Sequence, residues 1–304
     1  MRFQKKGLIY KAEKVNEWWN SHTQSPVAIV LGDKIRIYLG CFAEDGIVRM
    51  GFVDVDPENE MKVLKISDNP VLDLGQPGAF DDNGVFPASA IEKDGKIYLY
   101  YTGFQKADKI RYTMFGGLAV SEDGGDSFER VQEFPVTDRS EEGLFFRGGP
   151  SVIDQGDKFM VSYSAGSEWE TVGGKERPCY DIYISESKDG VNFPLRGRKV
   201  LSYDRAKGEH GTGRPLIKYI GGKYHMYFCV RMMDMKYSMG YAWSDDGQNW
   251  TRDDEAMGFS HSEEGWDSEM VYFPSVLEYG EKVYMFYCGN DYGRDGIGWA
   301  EVQN

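Results

Sequence analysis

The sequence predicts an all-β protein: a five-bladed β-propeller with four-stranded antiparallel blades. Three observations carry this expectation: a fivefold internal repeat, a recurring hairpin turn, and a composition rich in glycine and aromatics. Five segments align: "SPVAIVLGDKIRIYLG", "FPASAIEKDGKIYLYYTG", "GPSVIDQGDKFMVSYSAG", "RPLIKYIGGKYHMYFCV" and "FPSVLEYGEKVYMFYCG". Each has a proline, a short apolar run, a turn with lysine, then an aromatic strand. The prolines are Pro26, Pro87, Pro150, Pro215 and Pro274, separated by 61, 63, 65 and 59 residues. The turn lysines (Lys34, Lys96, Lys158, Lys223 and Lys282) follow by 8, 9, 8, 8 and 8 residues. Regular spacing of this kind marks a repeat architecture.

The outer strands of each unit follow from a second pattern. "GGLAVSEDGGDSFERV", "YDIYISESKDGVNFPLRG" and "MGYAWSDDGQNWTRDD" share small or aromatic residues, a Ser-x-Asp-Gly turn, then Phe or Trp. The aspartate accepts backbone hydrogen bonds in the turn, and the glycine allows positive φ. The units span about 21–79, 80–140, 141–205, 206–262 and 263–304, within one domain of 1–304. The fifth stops after "DGIGWAEVQN" and lacks a last hairpin. The spare strand "GLIYKAE" (7–13) is expected to fill that place and close the ring, which removes two exposed edges.

At 304 residues the chain is beyond the size at which one compact core stops growing, so a modular build is expected. Its 37 glycines, 20 tyrosines and 17 phenylalanines favour strands joined by turns. A net charge of −14 repels phosphate backbones and argues against nucleic acid as a partner. The start "MRFQKKGLIYKAEK" has no apolar run of signal length, and no stretch approaches ~20 apolar residues. A cytoplasmic location without membrane contact is the expectation. Cys41, Cys179, Cys229 and Cys288 show no zinc spacing and read as small buried residues.

In a propeller the innermost strands line a central funnel, and residues just before each repeat proline share one mouth. The five approaches are "WWNSHTQSP", "AFDDNGVFP", "GLFFRGGP", "GEHGTGRP" and "GWDSEMVYFP". They bring together Asp81, Asp82, Glu209, Asp267 and Glu269 with Arg147, Arg214, His22 and His210, beside Trp19 and Tyr272. Aromatic faces cover the apolar side of a sugar ring, while charged groups bond its hydroxyls. Asp82, with Glu269 or Glu209, is the candidate pair for acid and base work. Asp81, Asp267, His22, His210, Trp19 and Tyr272 are candidate substrate contacts. Arg147 and Arg214 suggest an anionic element. No cofactor is required, and no metal ligand is assigned; a cation such as Ca²⁺ would suit so many acids, yet no motif demands one.

These repeats and turns, with "GWDSEMVYFPSV" and "GNDYGRDGIGWA", resemble the five-bladed propeller glycosidases. These are the arabinanase, invertase and levansucrase relatives (glycoside hydrolase families 43, 32 and 68) and the mannoside phosphorylases of family 130. The resemblance covers the whole chain and implies a glycoside hydrolase-like enzyme acting on a carbohydrate in the funnel. The arabinanase-like pattern implies an Asp from blade 1, an Asp from blade 2 and a Glu from blade 3. Blade 2 offers Asp82, blade 1 offers "SHTQSP" without an acid, and blade 3 has Arg147 where an acid would stand. The phosphorylase-like pattern needs one blade-2 Asp with Arg and His groups holding phosphate, which Asp82, Arg147, His210 and Arg214 suit. Phosphorolysis or glycosyl transfer, and a non-catalytic sugar-binding propeller, are the alternatives.

Overall fold

The computed structural model describes residues 1–303. After an N-terminal strand β1 (Phe3–Tyr10), strands follow in groups of four. The first group is β2 (Ser21–Leu31), β3 (Lys34–Phe42), β4 (Val48–Asp56) and β5 (Lys62–Ile66). The second is β6 (Gly84–Lys93), β7 (Lys96–Lys106), β8 (Tyr112–Ser121) and β9 (Glu129–Arg130). The third is β10 (Phe146–Asp154), β11 (Phe159–Val172), β12 (Lys175–Ser187) and β13 (Arg198–Leu201). The fourth is β14 (Glu209–Ile220), β15 (Lys223–Met232), β16 (Tyr237–Ser244) and β17 (Thr251–Arg252). The fifth has β18 (Tyr272–Tyr279), β19 (Lys282–Cys288) and β20 (Ile297–Val302). Each group is an antiparallel meander, so the architecture is all-β and propeller-like.

The fifth group is completed by β1, which pairs antiparallel with β20 from Phe3 opposite Val302 to Tyr10 opposite Ile297. The closing strand therefore begins earlier and ends earlier than the expected 7–13. Phe3 is buried and anchors its start, while Lys11 leaves the ladder to pair with Asp295. Beyond it Ala12 turns into the core.

The repeat residues have repeated duties. Each turn lysine pairs with a carboxylate at the far end of the third strand of its own group: Lys34 with Asp54, Lys96 with Glu122, Lys158 with Glu186, Lys223 with Asp245 and Lys282 with Glu301. In the Ser-x-Asp-Gly turns, Asp189 and Asp246 each accept two backbone N–H groups and an asparagine amide. Those donors hold Asp189 well below the usual carboxylate range. Serines on the inner strands tie neighbouring groups together. Ser89 Oγ accepts from Val152 N, Ser151 Oγ from Ile217 N, and Ser275 Oγ from Ala28 N. The last of these joins the fifth group to the first. Among the described residues, no helix is long and apolar enough to cross a membrane.

Candidate functional site

Every inner strand is broken at its repeat proline. The register of each with its neighbour slips there: between Gln24 and Val27, Pro87 and Ser89, Gly148 and Ser151, Gly213 and Leu216, and Tyr272 and Ser275. Proline has no N–H to give to the ladder, and it excludes the right-handed helical region for the residue before it. In four of the five groups that residue is left-handed: Ser25 (φ 56°), Gly149 (67°), Arg214 (51°) and Phe273 (55°). Such a bulge re-aims side chains. All five pre-proline residues, with Phe86 from the second group, line one cavity of about 430 Å³.

The left-handed backbone costs roughly 1–2 kcal/mol at each non-glycine residue, and a repeated hydrogen bond offsets part of it. Gly149 N donates to Thr102 Oγ1, Arg214 N to Ser164 Oγ and Phe273 N to Cys229 Sγ, at 2.8, 2.8 and 3.1 Å. Each acceptor lies six residues after the turn lysine of the preceding group. Gly40 holds that position in the first group and has no side chain to accept with. The residue it would serve, Phe86, is the one pre-proline residue that is not left-handed.

The wall is aromatic and cationic. Phe146 and Tyr180 stack at 4.8 Å, Tyr237 and Tyr272 at 5.0 Å, and His22 lies on Phe42 at 4.3 Å. Gln24, Asn83, Thr102 and Ser164 add amide and hydroxyl groups, and Arg111, Arg177, Arg214 and Arg231 add charge. Among the described residues, no aspartate or glutamate lines it. His22 is itself left-handed (φ 60°), and its Nδ1 shares a hydrogen bond with Ser21 Oγ. Burial first, then Arg294, lower its pKa, so the ring is neutral near pH 7.

Of the residues singled out in the sequence, His22, Arg214 and Tyr272 line the cavity. The other eight do not. Asp81 is buried and accepts from Tyr101 OH and Arg130. Asp82 accepts from Gly78 N and closes the turn before β6, while its neighbour Asn83 reaches the cavity. Glu209 is buried against Arg252, which forks onto both its oxygens at 3.0 and 2.6 Å. Asp267 accepts from Tyr287 OH and Lys5. Glu269 is exposed. Arg147 donates to Tyr163 OH and Pro194 O on the other side of β10, because Phe146 and Gly148 take the cavity side and strand side chains alternate. Trp19 is buried beside Tyr10 and bonds the His22 carbonyl. His210 is fully buried and, among the described residues, has no partner on either ring nitrogen.

Arg231, Tyr180 and Tyr237 also line the cavity, though none belongs to the five approaches. The ends of the second strands, where Thr102, Ser164, Cys229 and Arg231 stand, return antiparallel to the same mouth, and that signal was readable in the repeat. A hard cation wants several oxygen ligands, and this wall offers no carboxylate. Among the described residues no three His, Cys, Asp or Glu side chains group to hold a metal.

Known proteins share this architecture. The family profile "Glycosyl hydrolases family 32 N-terminal domain" matches residues 69–203. A solved structure described as "Glycoside hydrolase" superposes with TM-score 0.74 at 21% identity, over 99% of this chain and 92% of that one. A thermostable family-43 glycoside hydrolase gives 0.68 at 14%, over 95% and 90%. A structure reported under "The GH130 family of mannoside phosphorylases contains glycoside hydrolases that target beta-1,2 mannosidic linkages in Candida mannan" gives 0.69 at 16%, over 99% and 93%. In fold and repeat the chain is similar to the propeller glycosidases. The chain belongs to the family of Uncharacterized protein Rv1502 of Mycobacterium tuberculosis (strain ATCC 25618 / H37Rv), with 33% identity over 308 residues covering 100% of both chains.

Proposed function

We propose that the protein is a single-domain, five-bladed propeller that acts on a carbohydrate held in the cavity where its inner strands meet. The observation that carries this reading is the wall itself. Stacked aromatic faces stand beside amide, hydroxyl and guanidinium donors, which is the chemistry of sugar recognition. The glycosidases that share its fold are consistent with it. Hydrolysis by two carboxylates needs them flanking the scissile bond within about 10 Å of each other. Asp82, Glu209 and Glu269 do not stand on the wall, so this geometry favours binding, with acid–base work falling to His22, the imidazole of the cavity. A hydrolase using Asp82 is the less supported alternative.

Calorimetric titration with a panel of mono- and oligosaccharides, followed by product analysis, tests the reading. Saturable binding is expected, weakened about tenfold by Phe146→Ala through loss of a stacking face and unchanged by Asp82→Asn or Glu269→Gln. Turnover, where detected, is expected to vanish in His22→Gln. A folded protein that binds no carbohydrate would sink the proposal. Turnover lost in Asp82→Asn with binding intact would return the chemistry to the aspartate loop.

A further inference from the structure

Resting on the reading of the cavity as a carbohydrate site, we propose that its ligand brings an oxyanion, a carboxylate or a phosphate, to Arg214 and Arg231. The other two buried arginines have a carboxylate beside them: Arg36 holds Asp54, and Arg147 lies 3.7 Å from Glu142. The half-buried Arg130 and Arg252 hold Asp81 and Glu209. Arg214 and Arg231 are 7% and 8% exposed, line the cavity, and among the described residues pair with no carboxylate. Each keeps one NH1 group without an acceptor. A buried charge left unpaired is costly, and a site that keeps two of them is built for a partner from outside.

The two guanidinium groups share one wall. Gly213, just before Arg214, lies opposite Cys229, and Gly211 lies opposite Arg231. Arg214 comes off the bulge of β14 and reaches across the axis, donating from NH2 to the carbonyls of Pro87 and Pro26 at 3.0 and 3.3 Å. Its position is therefore fixed by three groups of strands. Arg231 donates from Nε to Tyr237 OH. An aromatic ladder joins the two: Arg231 over Tyr237, Tyr237 on Tyr272, Tyr272 against Phe273, and Arg214 over Phe273, at 5.0, 5.0, 4.4 and 5.5 Å. Rigid rings hold both forks without neutralising them. Arg231 also lies over Tyr180, the ring stacked on Phe146. The cation and the flat sugar-binding face are thus neighbours, as a charged sugar derivative requires.

The test compares matched sets of hexose, hexuronate and hexose phosphate in the gluco, galacto and manno series by calorimetry, with inorganic phosphate as a separate arm. At least one charged sugar is expected to bind about tenfold or more above its neutral parent, from charge-assisted bonds to the paired forks. That preference should collapse in Arg214→Met and in Arg231→Met. Arg214→Lys and Arg231→Lys keep the charge and should retain part of it, which separates lost recognition from lost folding. Added salt should weaken the charged sugar and spare the neutral one. If inorganic phosphate binds alone and promotes binding of a neutral sugar, the oxyanion chemistry stands with a free anion as its source. Neutral and charged sugars binding equally well would overturn the inference while leaving the carbohydrate reading intact. No sugar binding of either kind would remove both.

Discussion

Histidine shows at the scale of one residue how this protein stores unmet chemistry. His22 and His210 both sit near the cavity, yet only His22 lines it. His210 is sealed behind the wall. Burial first, then the charges of Arg231 and Arg205, pull it down to about 4 from an ordinary 6.5, with Arg177 adding to the effect and Glu170 opposing it. The folded protein keeps this ring neutral at pH values where the unfolded chain has already bound a proton. Its stabilising contribution is complete above about pH 6.5 and is lost as pH falls toward 4. That loss is worth up to about 3 kcal/mol. Urea unfolding at pH 7 and pH 4.5 reads it, and the acid loss should shrink in His210→Phe. An acid limb identical in the variant would exclude His210 as its cause.

The bulge at the repeat proline is the element that builds the site. Its left-handed residue depends on an acceptor from the neighbouring group, so the acceptor can be tested alone. Cys229→Ala strands the buried Phe273 N–H and should cost about 1–3 kcal/mol, whereas Cys229→Ser, which keeps an acceptor, should cost clearly less. Equilibrium denaturation of the two variants decides the point, and equal losses would mean that the thiol only fills space. Much of this element was legible in the sequence. The prolines and lysines gave the five groups, and the approach to each proline gave the mouth, with His22, Arg214 and Tyr272 on it. What the sequence did not separate was the side of the strand. Arg147 and Phe146 are adjacent in one apolar-flanked run, and one bulge decides which of them faces inward. Nor could it show that Asp81, Glu209 and Asp267 are spent on Arg130, Arg252 and Lys5, because those partners lie 49, 43 and 262 residues away in the chain. Cys229 and Cys288 are buried as expected, but Cys229 is also an acceptor, standing where other groups use Thr102 and Ser164.

Across the whole molecule, neighbouring groups are held by serine rungs and the fifth is finished by β1. Removing residues 1–10 exposes the β20 edge and uncovers the Phe3 packing site among Leu216, Tyr227 and Met285. The truncated protein should melt at lower temperature and self-associate through the bare edge. Size-exclusion chromatography with thermal denaturation measures both, and an unchanged monomer would show that β1 is dispensable. The same pairing sets a timetable for biosynthesis. Of the described strands, β1 is the earliest made and β20, its partner, the latest. β1 must wait unpaired while the other nineteen are made, so the nascent chain carries an exposed adhesive strand until β20 emerges. The charges along that strand, Lys5 and Lys6 among them, keep it from finding a wrong neighbour before the right one exists.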